Sequence, residues 1–252
     1  YEALINSYNL ATIKLGLATG VDKVIEVLAR LGYAKTIPPY PSLFIGALSL
    51  SPLEVTQIYQ TLASEGFYTP LRVISRVVAP DNRPVQRFPL SVEQRVDPTH
   101  AFLLNTVLQQ VIREGTATSL SAYVPPAHGM AGKTGTSDDG RDSWFAAFSD
   151  DKLAVVWLGR DDNSPVNLTG STGALVVWGK IMQQLHAQPL RLIEPPGIQW
   201  RRVSVDSDRQ VSLPFIAGET PDPNDDEVKA ATDNTPQETP KNPINRFLDW
   251  LF

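Results

Sequence analysis

Gly129-Met130-Ala131-Gly132-Lys133-Thr134-Gly135-Thr136-Ser137 is the stretch that decides how this 252-residue chain is read. Glycine at 132 and 135 leaves a strand with no side chains there to hold a ligand away, so an extended peptide can lie against it as an added edge strand. Side chains alternate along a strand, which puts Thr134 and Thr136 on one face. Their two hydroxyls, with the Lys133 ammonium nearby, suit a carboxylate. The Thr136 N–H would be free to donate to an oxyanion, and losing one such donor costs a serine enzyme about 3–4 kcal/mol. The same residues also fit an ordinary edge strand with a solvated lysine, and this stretch alone does not separate the two.

A second polar element opens the chain. Ser7-Tyr8-Asn9 precedes an apolar helical pattern at Leu10, Ile13 and Leu17 that stops near Gly20. Taken alone, it fits a helix N-cap, a position that Ser and Asn both favour. Paired with Lys133-Thr134-Gly135 it resembles two of the three motifs of the penicillin-binding and serine β-lactamase superfamily. The likeness extends to Phe44 through Val55, to Arg113-Glu114-Gly115-Thr116-Ala117, to Asp142-Ser143-Trp144-Phe145 and to Trp157 through Asp162. Together these are similar to the transpeptidase domain of bifunctional class A penicillin-binding proteins of the 1B type, over roughly residues 1 to 190. One departure is Ala117, where the family usually has Gly, which bears on local loop geometry only.

The resemblance implies an α/β penicillin-binding fold, an antiparallel sheet flanked by helices. It would be partial here, because two of the family's five strands and the helix bearing its nucleophile come from sequence before the Ser-x-Asn loop. It also implies roles. Ser7 would relay a proton to the leaving amine, and Asn9 would hold the substrate's side-chain amide. Lys133 would tune the field at the nucleophile and Ser7. Thr134, Gly135, Thr136 and Ser137 would line the substrate strand, with the two threonines on its carboxylate and the Thr136 amide as half of an oxyanion hole. The implied reaction is D,D-transpeptidation of D-Ala-D-Ala stem peptides through a serine acyl-enzyme, a site that β-lactams also acylate, with no metal or organic cofactor for this step. The nucleophile belongs to a Ser-x-x-Lys motif, and the chain's one such run is Ser149-Asp150-Asp151-Lys152. Between two apolar strands it reads as a hairpin turn, which cannot set a lysine one helical turn from its serine. The chain alone is therefore expected to be inactive, with nucleophile, glycosyltransferase domain and membrane anchor upstream.

Two other functions share these motifs. A serine β-lactamase or a D,D-carboxypeptidase would use the same early chemistry, but no Glu between Ser7 and Lys133 has Asn four residues on, as the commonest β-lactamase loop requires. A non-catalytic sensor or scaffold on a penicillin-binding fold would explain the missing serine.

Composition narrows the partners. A hydrophobic share of 42% supports a real core, and a net charge of −5 with no basic run excludes nucleic acid as a natural partner. Without cysteine there are neither disulfides nor thiolate metal sites, and His100, His128 and His186 lack ligand spacing. No apolar run reaches the roughly 18–20 residues of a membrane-spanning helix. The resemblance implies the periplasmic face of a bacterial inner membrane. Its implied partners are stem peptides, β-lactams, outer-membrane lipoprotein activators and division proteins.

Periodicity predicts helices over 21–32, from the Ser51-Pro52-Leu53-Glu54 capping box to Gly66, from Asp97-Pro98 to Gly115, and over 173–187 with Val177, Trp178, Ile181 and Leu185 inward. Strands are expected near 129–137, 143–149 and 152–160 as an antiparallel meander, the last buried on both faces. Residues 191–217 form an extension beyond the domain at 1–190. Acidic, proline-containing 218–243 reads as disordered, and 244–252 as a short amphipathic segment.

Overall fold

The structure, a computed structural model, describes residues 1–124, 129–205 and 209–218. Three helices open the chain: α1 (Glu2–Asn6), α2 (Asn9–Thr19) and α3 (Val21–Arg30). α2 packs on the 3-10 turn Pro41–Ile45 because Gly16 has no side chain. A Cβ there would lie 2.2 Å from the Phe44 ring. α4 (Pro52–Ala63) begins at the expected capping box, the Ser51 hydroxyl accepting from the Glu54 N–H and the Glu54 carboxylate from the Ser51 N–H. Two small ribbons follow, β1 (Phe67–Tyr68) with β4 (Glu93–Gln94) and β2 (Arg76–Val78) with β3 (Pro84–Arg87), neither of which the sequence reading contained.

α5 (Pro98–Arg113) starts where the Asp97 carboxylate accepts from the Thr99 N–H, and it packs on β5. β5 (Ala131–Thr136), β6 (Ser143–Phe148) and β7 (Leu153–Leu158) form the antiparallel meander, in the order β5-β6-β7. α6 (Ala174–Leu185) follows, and the hairpin β8 (Ile198–Ser204) with β9 (Gln210–Ile216) ends the described chain. Tyr1–Phe215 forms one compact unit; of the other, Ile216–Phe252, only Ile216–Gly218 is described. The disordered and amphipathic segments expected over 218–252 lie outside the described residues from 219 onward, as does His128.

The pairing register fixes which side chains share a face. Thr136, Thr134 and Gly132 stand opposite Ser143, Phe145 and Ala147, and these point one way; Lys133 and Gly135 point the other way. α6 covers the first face. Its Trp178 meets Phe145 edge-on at 5.4 Å between ring centroids and donates from Nε1 to the Ala154 carbonyl at 3.0 Å. Around that pair lies the main core, with Ile5, Val111, Leu120, Met130, Phe148, Leu175 and Met182. A second core of Leu31, Tyr33, Ile37, Leu43, Ile58 and Leu62 holds α3 and α4 together.

Three packing expectations need correction. On α6 the buried residues are Ala174, Leu175, Trp178, Gly179 and Met182, whereas Val177, Ile181 and Leu185 are 38%, 39% and 50% exposed. Gly179 lets the helix press against Tyr123, where a Cβ would lie 2.7 Å from that side chain, and the larger aliphatic stripe turns outward. β7 is only half-buried, and its outer edge has no partner strand among the described residues. In α2, Leu10 is 74% exposed, and Gly16 is the buried residue. Wherever the apolar stripe was wider than one packing face, periodicity alone chose the wrong side of it.

Trp178→Ala should lower unfolding stability by about 3–5 kcal/mol, since it removes a fully buried ring and its hydrogen bond. Trp178→Phe, which keeps an aromatic body against Phe145, should cost less than half as much in the same urea titration.

Candidate functional site

Ser7 lies in the corner between two helices. α1 ends there with Ser7 at φ 59°, ψ 46°, and the Tyr8 N–H reaches back to the Ala3 carbonyl at 2.9 Å. That left-handed corner usually belongs to glycine, and a serine in it costs roughly 1–2 kcal/mol. Strain of this kind persists where the surroundings over-determine the backbone. α2 then begins at Asn9 with Tyr8 at its N-cap position and no side-chain capping bond, so neither Ser7 nor Asn9 serves as a helix N-cap; Ser7 instead closes the C-terminus of α1. Asn9 is exposed in the first turn of α2.

Across from this corner, β5 runs along the edge of the sheet. The Ser137 N–H donates to the Asp142 carbonyl, which makes Ser137 and Asp142 a hydrogen-bonded pair at the end of the β5–β6 ladder. Pairs alternate in an antiparallel ladder, so Thr136 and Thr134 turn their backbone N–H and C=O groups away from β6 toward the open edge. Among the described residues no strand pairs with those groups.

Lys133 points off the face opposite α6, and its Nζ donates to the Ser7 hydroxyl, 126 positions away in the chain, and to the Thr134 carbonyl at 3.1 Å. Among the described residues no carboxylate pairs with the half-buried lysine, and desolvation lowers its pKa from 10.5 to about 8. A cation so placed titrates close to neutral pH. It can donate to Ser7 as an ammonium or accept from it as an amine.

The threonine hydroxyls, on the other face from the lysine side chain, are held from behind. The Thr136 hydroxyl oxygen accepts from the Gly170 N–H at 2.9 Å, which leaves its proton to donate elsewhere. Gly170 lies directly over the β5–β6 ladder, where a Cβ would meet the Gly135 and Trp144 backbone at 2.6–2.9 Å. Thr134 shares a 2.6 Å hydrogen bond with the hydroxyl of Thr116, just beyond α5. Ser137 is tied into the turn: its hydroxyl donates to the Asp142 carboxylate and accepts from the Asp142 N–H, both at 2.8 Å, while Trp157 Nε1 holds the other carboxylate oxygen. Gly135 contributes its lack of a side chain. Neither Thr116 nor Gly170 was singled out from the sequence as a site residue. The Arg113–Ala117 stretch was noted as family-like, and that was the one available signal for Thr116.

Ser149-Asp150-Asp151-Lys152 is the β6–β7 hairpin turn, as its composition implied. The Ser149 N–H donates to the Lys152 carbonyl at 2.8 Å, and the Ser149 hydroxyl donates to the Asp151 carboxylate at 3.0 Å. Lys152 Nζ pairs with the Asp151 carboxylate rather than with the Ser149 hydroxyl, so this run lacks the serine–lysine contact of a Ser-x-x-Lys nucleophile.

Comparison with known proteins agrees with this geometry. A family model described as the penicillin binding protein transpeptidase domain matches residues 1–164. Penicillin-binding protein 1B of Vibrio cholerae is 34% identical over 99% of this chain and 32% of its own length. Penicillin-binding protein 1B of Escherichia coli is 38% identical over 78% of this chain and 23% of its own length. The chain therefore spans a third or less of these relatives. Among solved structures, penicillin-binding protein 1A from Haemophilus influenzae superposes with a TM-score of 0.78 at 21% identity, over 87% of this chain and 40% of that one, a likeness of fold.

Burial of the Lys133 charge has a consequence for stability. Below about pH 8 the lysine is charged in both folded and unfolded chains, so the full desolvation cost is present. Between about 8 and 10.5 the folded chain sheds the proton first, and stability rises with pH. Lys133→Met should stabilise the chain at pH 7, by on the order of 1–3 kcal/mol. Melting curves from pH 7 to 10.5 should show that advantage shrinking.

Proposed function

Because the chain belongs to the penicillin-binding protein transpeptidase family, we propose that it supplies the Lys-Thr-Gly strand and the Ser-x-Asn corner of a D,D-transpeptidase that cross-links peptidoglycan. The observation that carries this reading is the Lys133–Ser7 contact beside the open edge of β5. It joins an ammonium, a hydroxyl and a strand edge that no other strand covers among the described residues, which is what a D-Ala-D-Ala terminus under attack requires.

In the proposed reaction a serine hydroxyl from outside these 252 residues attacks the carbonyl of the D-Ala-D-Ala bond. Its proton passes to the lysine of its own Ser-x-x-Lys motif. The carbonyl oxygen takes the negative charge and is met by the Thr136 N–H, which the ladder leaves facing outward. On collapse the C–N bond breaks, and the proton taken up by that lysine passes through the Ser7 hydroxyl, which Lys133 holds in place, to the leaving D-alanine nitrogen. An amino group of a second stem then attacks the ester, forming the cross-link and returning the proton to the serine. Thr136, its hydroxyl oxygen occupied by the Gly170 N–H, presents its proton to the substrate's terminal carboxylate, and Thr134 lies beside it. Asn9 would hold the stem's side-chain amide. β-Lactams would acylate the same serine because they present the same amide and carboxylate.

The parent protein on this reading is longer, in keeping with the third or less of its relatives that the chain spans. It would carry the nucleophile's helix, the two strands that complete the sheet beyond β7, a glycosyltransferase domain and a membrane anchor, and it would work on the periplasmic face of the inner membrane. Partners would be stem peptides, lipoprotein activators and division proteins.

Labelled penicillin tests this. The parent protein should form a covalent adduct, and the isolated 252-residue chain should form none by intact mass. In the parent, Ser7→Gly relaxes the left-handed corner while removing the hydroxyl, so melting should stay level or rise as acylation slows by roughly a hundredfold or more. An adduct on the isolated chain, or wild-type acylation by Ser7→Gly, would overturn the assignment.

A further inference from the structure

The hydroxyl of Thr116 lies within hydrogen-bonding distance of Thr134, and its backbone holds the Ser-x-Asn corner. We propose that Thr116 is a positioning residue for the substrate's carboxylate, setting which proton Thr134 can offer. The proposal rests on the transpeptidase reading above and goes beyond it, to a residue that reading does not use.

Proton bookkeeping supports this. Thr116 and Thr134 share one hydrogen bond of 2.6 Å in which either oxygen can be the donor. Two hydroxyls carry two protons, so one is consumed in the shared bond and one remains. If Thr134 donates, its proton is spent on Thr116. If Thr116 donates, the Thr134 proton is free for the open edge. A carboxylate accepts only, so its arrival selects the second arrangement. Thr136 stands in the same relation to Gly170, whose N–H cannot do other than donate. An anion at this edge would then meet two hydroxyl donors, each polarised by a second donor behind it, a chain in which each bond strengthens the next.

Thr116 is also held between the two walls of the site. Its N–H donates to the Ile5 carbonyl at 3.1 Å, two residues before Ser7. Gly115 lets this approach happen, since a Cβ there would lie 2.4 Å from the same carbonyl oxygen. One short segment after α5 thus reaches the Ser7 corner through its backbone and the strand of Lys133 through its side chain. Valine at 116 keeps the backbone bond and the volume, and removes only the hydroxyl.

The test uses the parent protein and two probes, benzylpenicillin and its methyl ester, which lacks the anionic carboxylate. Thr116→Val should slow acylation by benzylpenicillin about tenfold, while the slower acylation by the ester changes less than twofold. Thr116→Ser should restore the acid-to-ester ratio. That ratio is read within one preparation, so a variant that folds poorly lowers both rates and leaves it intact. An unchanged ratio in Thr116→Val overturns the role of Thr116 and leaves the transpeptidase reading standing. A wild-type parent that neither probe acylates overturns both.

Discussion

A sheet edge that must stay unpaired while the strand behind it is locked in place is the constraint on which the rest of this structure depends. Exposed edges invite non-specific pairing, and proteins ordinarily blunt them with charge, irregularity or cover. Here β5 is short, carries a lysine, and has glycine at two of its six positions. Its inner end is buried as Ala131 and Gly132, where a Cβ at 132 would strike Ala147 at 2.4 Å. Of the outer end, only Thr134 and Thr136 turn their backbone groups to the open edge, and there the Thr134 carbonyl accepts from Lys133 Nζ. Rigidity comes from the other side, through the register with β6, the loop at Gly170 and the α6 packing of Trp178 on Phe145.

That arrangement carries costs that a purely structural strand would avoid. Lys133 is taken partly out of water with no acidic partner among the described residues, and Ser7 occupies a backbone conformation suited to glycine. Both features face each other across one hydrogen bond. On the proposed reading, stability is given up at the two places where a proton has to move, which is where strain and perturbed titration are useful rather than incidental. The neighbouring polar groups show the opposite pattern. Ser137, Asp142 and Trp157 satisfy one another, and the Ser149 hydroxyl closes its own hairpin. Such self-contained networks hold turns in shape and leave no group over for chemistry.

Much of this was legible before any coordinates, for reasons that are local. The Ser51 capping box, the Asp97 cap, the Gly20 stop and the Asp150-Asp151 turn depend on residues within a few positions of each other, and each lies where the sequence predicts. The burial of α6 was misjudged because helical periodicity sees a wide apolar stripe and cannot tell which part faces the core; Trp178 on Phe145 and the close approach of Gly179 to Tyr123 decide that. The ribbons β1–β4 and β2–β3 were missed because they are two to four residues long and lack clean alternation. Thr116 was passed over as a site residue because a threonine after a helix has no distinguishing pattern until something packs against it.

The residue types at Ser7, Lys133, Thr134 and Thr136, the flexibility of the glycines around them, and the capping chemistry of the helices were determined by the sequence itself. They are properties of single residues and near neighbours, and no folding is needed to state them. Only the tertiary structure decided that Lys133 reaches Ser7, that the lysine loses water in doing so, that Gly170 and Thr116 stand behind the two threonine hydroxyls, and that the outward half of the ladder belongs to Thr134 and Thr136. These depend on strand register and on contacts between residues far apart in the chain, which a one-dimensional pattern does not encode.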